Sequence, residues 1–143
     1  MTYPNKPLVY SKDPFEVALG TAHGQAFSIH ALEELVTVAA AASTVTTIQA
    51  PANSIILAVA VRVTVQPPGT TSVEVGDGTT AAKFNTGANV ATTVGATDVG
   101  TKAGPLYVAS AQAITLTPNA TPSDNTGRIR VTIIYATVTP PTS

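Results

Sequence analysis

Between Ser54 and Val65 an apolar side chain falls on every second residue: Ile55, Leu57, Val59, Val61, Val63 and Val65, with Ala58, Ala60, Arg62 and Thr64 between them. A repeat of two is the period of a β-strand with one face in a core and the other toward water. The pattern predicts a long strand whose odd-numbered residues point inward. Gln66-Pro67-Pro68-Gly69 ends it, because proline presets φ for a turn and glycine accepts the positive φ that follows.

A second strand of this kind is predicted over Arg128–Val138. Ile129, Val131, Ile133 and Tyr135 share one face, and Arg128, Arg130 and Thr132 the other. Ile134 and Val138 break the alternation, which predicts that the outer face is covered toward that end. Shorter strands are predicted at Thr44–Gln49, Thr71–Val75, Leu106–Ala109 and Gln112–Thr117. Turns are predicted at Gly76-Asp77-Gly78, Asn85-Thr86-Gly87 and across Pro118–Gly127. In Ala31–Ala42, Leu32, Leu35, Val36, Ala39 and Ala40 have helical spacing, whereas Val36-Thr37-Val38 and the following Thr44-Val45-Thr46-Thr47 favour a strand. Strand is the preferred reading, with a short helix as the alternative. Many short strands between turns predict an all-β fold, a β-sandwich of jelly-roll or Greek-key-like type.

Residues 1–26 read differently. Pro4, Pro7 and Pro14 interrupt them, periodicity is poor, and Tyr3, Tyr10 and Phe15 lie among charged residues. Proline-broken sequence with aromatics predicts an extended N-terminal arm that docks on something. The alternative is an arm folded back on its own domain. The chain therefore divides into an arm, 1–26, and a β-sandwich domain, 27–143. Tyr3, Tyr10 and Phe15 are the candidate partner-contact residues.

Charged residues make up only 10% of the chain, against roughly 25% in an ordinary globular protein. Such a surface either meets other protein or relies on hydroxyl groups, and the chain has 24 threonines. The net charge is −1, and the basic residues are scattered from Lys6 to Arg130. Phosphate backbones are held by clustered basic charge, so no nucleic-acid partner is expected. There is no cysteine, which excludes disulfides and thiolate metal sites. The polar, proline-broken start does not read as a signal peptide, and no apolar run approaches the ~20 residues of a membrane helix. A soluble protein made in the cytoplasm, without a membrane partner, is expected.

The residues offer little for catalysis. His23 and His30 lack the further ligands of a zinc site. Glu33 and Glu34, if on a strand, point to opposite faces and read as a solvated edge. Gly76-Asp77-Gly78 lacks the acidic positions of a calcium loop and reads as a turn. Asn119-Ala120-Thr121 matches a glycosylation sequon only by pattern. With no tryptophan to stack on sugars, a carbohydrate-binding module is a distant alternative. The sequence predicts no enzyme, no catalytic or metal residues and no cofactor.

Several fragments, in this order, resemble virion structural proteins of tailed bacteriophages: Ala50-Pro51-Ala52-Asn53-Ser54-Ile55-Ile56-Leu57, continuing to Val61-Arg62-Val63-Thr64; Ser72-Val73-Glu74-Val75-Gly76-Asp77-Gly78 followed by Lys83-Phe84; Pro105-Leu106-Tyr107; Gly127-Arg128-Ile129-Arg130-Val131; and the ending Thr137–Ser143. The resemblance runs over residues 45–143. It implies a β-domain of the kind found in capsid decoration (cement) proteins and in tail or fibre components. The leading expectation is a decoration protein on the capsid exterior. It would bind the major capsid protein, stabilise the shell and assemble with itself as a homotrimer. A tail-fibre or baseplate component is the alternative.

Overall fold

The computed structural model describes residues 16–18, 26–85, 90–100 and 102–138. Tyr3, Tyr10, Phe15 and His23 lie outside them. The described chain forms β1 (Glu16–Ala18), β2 (Ala26–Thr37), β3 (Thr44–Ala50), β4 (Ser54–Val65), β5 (Ser72–Gly76), β6 (Val90–Ala91), β7 (Thr97–Gly100), β8 (Leu106–Val108), β9 (Gln112–Pro118) and β10 (Arg128–Val138). Ala31–Thr37 is strand, as the β-branched residues require. β6 and β7 are additions to the expected strands, as is β1 within the arm.

Two antiparallel sheets pack as a sandwich. The larger has the order β1-β2-β10-β4-β7, with β8 also on β4, and the smaller β3-β9-β5-β6. The long strand β10 lies between β2 and β4, distant in sequence from both, which gives a Greek-key-like order. Between the sheets Val59, Val61, Val63, Ile129, Val131 and Ile133 meet Val73, Val75, Ile114 and Leu116, each no more than 4% exposed. Apolar area removed from water on this scale is the main favourable contribution to the fold.

One expectation is corrected. In β4, Val59, Val61 and Val63 point inward as predicted, but Ile55 and Leu57 do not: Ser54, Ile56 and Ala58 are the buried residues there. The pairing explains it. Ile134 is opposite Ala58 and Tyr135 is opposite Ile56, so Leu57 is an extra residue. A β-bulge of one residue exchanges the faces of everything beyond it. A second irregularity, between Arg128 and Ile129, leaves Val65 at 44% exposure.

Two of the predicted turns have identifiable chemistry, while Thr86 and Gly87 of the turn predicted at Asn85-Thr86-Gly87 lie outside the described residues. Pro68-Gly69 forms the centre of a type II turn, with Gly69 at φ 83° and Thr70 donating through both its amide and its hydroxyl to the Pro67 carbonyl. Asn53 takes φ 60°, a left-handed position that asparagine tolerates better than most residues. The Gly76–Asn85 loop is tied to itself. Asp77 accepts from the amides of Thr79 and Thr80 and pairs with Lys83 at 2.5 Å. Asn85 Oδ1 accepts from Val75 N, and Phe84 N donates to Val75 O. These bonds seat Phe84, 2% exposed, in the core. Burial alone would raise the Asp77 carboxyl, but the Lys83 ammonium and the two amides outweigh it and hold the pKa at about 2.

Candidate interaction face

Residues that alternate away from the core of the larger sheet make its outer face, which is covered at Ala136, 1% exposed, as the broken alternation near the end of β10 predicts. Successive rows across β2, β10, β4 and the strands beside it follow from the register. Ile29, Ala136, Ile55 and Tyr107 make one row. Glu33, Thr132, Ala60 and Val99 make another. Leu35, Arg130, Arg62 and Thr97 make the next, and Arg128 is opposite Val65. The surface is apolar at the Tyr107 end and basic at the other.

Exposure gives this face its character. Tyr107 is 60% exposed and Val99 58%, and Ile29, Leu35 and Val65 are each at least 40% exposed. Val94, beside the end of β4, is also exposed. On the smaller sheet the outward residues are instead threonine, glutamine, serine and Glu74, and Val45 is the one large apolar side chain exposed among those described. Scattered exposed apolar residues are ordinary, but among the described residues five of the seven large exposed ones, Ile29, Leu35, Val65, Val99 and Tyr107, fall on this one face.

The chain's three arginines, Arg62, Arg128 and Arg130, all belong to this face, on which no lysine lies among the described residues. Arg130 pairs with Glu33. Arg128 donates to the carbonyls of Asn125 and Gly127. Arg62 and Arg130, with Val63, Thr64, Val94 and Gly95, border a recess of about 460 Å³. A smaller one of about 170 Å³ adjoins it, edged by Asp98 and Val99. Arginine and tyrosine among apolar side chains, with lysine and acidic residues scarce, is the composition of protein–protein contact cores.

Other sequence candidates resolve as structure. Glu33 and Glu34 do point to opposite faces. Glu33 meets Arg130, while Glu34 Oε2 turns inward and accepts from Thr47 N at 2.7 Å and Ile48 N at 3.0 Å. Those amides lie where β3 departs from its register with β9, so Glu34 satisfies a strand irregularity and links the two sheets. Nothing in the order Glu-Glu predicted this. His30 stacks on Tyr135 with ring centroids 5.3 Å apart, a packing contact. Asn119 of the sequon uses its side chain to bind Thr71 and Ser72. Among the described residues, no three His, Asp or Glu side chains converge to hold a metal ion, and no helix is long and apolar enough to cross a membrane.

Comparison with known proteins adds the fold. A chain of the acid-stable capsid of the Helicobacter pylori bacteriophage KHP30 aligns with a TM-score of 0.52 at 18% identity, over 79% of this chain and 90% of that one. The likeness is one of fold. A chain of the capsid asymmetric unit of cyanophage Pam1 aligns over 96% of this chain and 99% of that one, with a TM-score of 0.49 at 18% identity. No protein-family model matches the sequence, and no curated protein does.

Proposed function

We propose that this protein is a structural component of a bacteriophage virion, of the capsid decoration type. It binds the outside of the major capsid protein shell and stabilises it. The observation that carries the reading is the outer face of the larger sheet: an apolar, arginine-bearing surface on a domain whose other face is polar. The fold shared with the KHP30 capsid chain and the order of sequence fragments over residues 45–143 support it. Such a protein needs shape and contacts, not catalysis. Each contact can be modest, because copies that also hold one another bind a repetitive shell by avidity.

In this reading the protein is made in the host cytoplasm and assembles as a homotrimer, a closed symmetry suited to three-fold positions on a shell. The N-terminal arm adds contacts to the shell or a neighbouring copy through Tyr3, Tyr10 and Phe15. The test is the copy number of the protein in purified particles, relative to the major capsid protein. A ratio near one, or a simple fraction of it, is the expected result. A handful of copies per particle would move the protein to the tail or baseplate, and absence would overturn the virion reading. Replacing Tyr3, Tyr10 and Phe15 together by alanine is expected to weaken particle binding while the sandwich stays folded. Undiminished binding would remove the arm from the contact.

A further inference from the structure

The arginine end of the larger sheet's face contains an electrostatic mismatch. Arg62 and Arg130 are directly opposite each other across β4 and β10. Side chains so placed have Cβ atoms about 4.5–5.5 Å apart, and like charges there oppose pairing. Glu33 engages Arg130, and Asp98 stands at the edge of the adjoining recess. With Arg128 included, the face still carries more positive than negative charge, in a chain whose net charge is −1. Between the two opposed arginines and the exposed Val94 lies the recess of about 460 Å³.

We propose that this notch receives the carboxylate of an aspartate or glutamate side chain from the partner protein that the face docks on; the inference rests on the docking reading above. Guanidinium groups present planar pairs of N–H donors that match a carboxylate, and such charge-assisted bonds are the stronger ones. A carboxylate seated there relieves the repulsion between Arg62 and Arg130, so the mismatch in the free protein becomes affinity in the complex. Docking of the partner over the notch and the exposed Val94 excludes water from the pair, which strengthens it. A phosphate polyanion fits less well: three arginines with Glu33 and Asp98 nearby, on an acidic chain, do not supply the clustered charge it requires. A second copy docked through the same face fits less well too, because it would bring two sets of arginines together.

The experiment uses the free, full-length protein and acetate as the carboxylate probe. The Arg62 and Arg130 Nε–H resonances are followed by NMR during titration, with sodium chloride at matched ionic strength as control. A saturable shift of both resonances with acetate, absent with chloride and lost in Arg62→Gln, is expected. Equal responses to acetate and chloride would overturn the notch. In particle-binding assays Arg62→Glu is expected to weaken binding at least about tenfold, as loss of a charge-paired contact does, while Lys102→Glu leaves it unchanged. Arg62→Glu binding like the wild type, with the same salt dependence, would overturn the partner carboxylate. Self-association abolished by Arg62→Glu would instead make a second copy the occupant and overturn it equally. A wild-type protein that shows the acetate shifts but binds no particle would overturn the shell reading and not the notch.

Discussion

The two outer faces of the sandwich come from the same kind of strand but are finished differently. On the smaller sheet the outward positions of β3, β5 and β9 carry Thr47, Gln49, Ser72, Glu74 and Thr117, with Val45 alone among large exposed apolar residues. On the larger sheet they carry Ile29, Leu35, Val99 and Tyr107 together with Arg62, Arg128 and Arg130. Neither face is needed by the core, which both sheets seal from the inside. The low overall charge is thus unevenly used. Hydroxyls and amides hydrate one face, and the other is left as contact surface.

If that division reflects use and not stability, a lesion in the shared core should destroy both faces together. Phe84→Ala removes a ring wedged between the sheets and is expected to cost about 3–5 kcal/mol, read by chemical denaturation. Loss of particle binding without loss of stability in that variant would break the comparison. A lesion on one face should do the reverse. The double variant Leu35→Glu with Val99→Glu is expected to weaken particle binding by about 30-fold or more, the scale of a contact hot spot. Its stability should stay within about 0.5 kcal/mol. Val45→Glu on the other face should bind as the wild type does.

Two further predictions sharpen what the sheets share. Glu34→Ala leaves the amides of Thr47 and Ile48 without their acceptor and is expected to cost about 1–3 kcal/mol, measured by the same denaturation. The Asp77 carboxyl has a pKa of about 2 in the folded protein, below its unfolded value of about 3.9. Its contribution is therefore fully present above pH ~4 and lost as pH falls toward 2. Stability should drop by about 1–2 kcal/mol over that interval from this group, and Asp77→Asn should remove that part of the pH dependence. The smallest effect is at Glu33. Its pair with Arg130 is about half exposed on both sides, so Glu33→Gln should change stability by no more than about 0.5 kcal/mol.

How much of this could be read from the sequence follows from what each residue reports. The first part of β10 is legible, because Ile129, Val131 and Ile133 alternate with Arg128, Arg130 and Thr132. The first half of β4 is not. Ile55, Ile56, Leu57 and Ala58 are all apolar, so the alternation cannot reveal the bulge at Leu57 that exchanges the faces. β6 is only Val90–Ala91 and β7 only Thr97–Gly100, too short for a period to register. Gly100 of β7 also serves a close approach, since a Cβ there would lie 1.5 Å from the Phe84 carbonyl oxygen. Arg62 and Arg130 were each visible as outward residues, but their opposition depends on β10 lying beside β4, a long-range pairing no local pattern encodes. The opposite faces of Glu33 and Glu34 are legible, but Glu34 as an acceptor is not, for the same reason: that role belongs to β3, across the sandwich.

The central claim is that the larger sheet's outer face docks and the smaller sheet's does not. The chain has no cysteine, and Val99 and Val45 are nearly equally exposed, at 58% and 56%, on opposite faces. Single variants Val99→Cys and Val45→Cys therefore give matched reporters. The measurement is their maleimide reactivity in the free and the particle-bound protein. The account predicts that binding suppresses labelling of Val99→Cys at least about tenfold and leaves Val45→Cys unchanged, by the water exclusion that accompanies a packed contact core. Protection of Val45→Cys with Val99→Cys still reactive would contradict it.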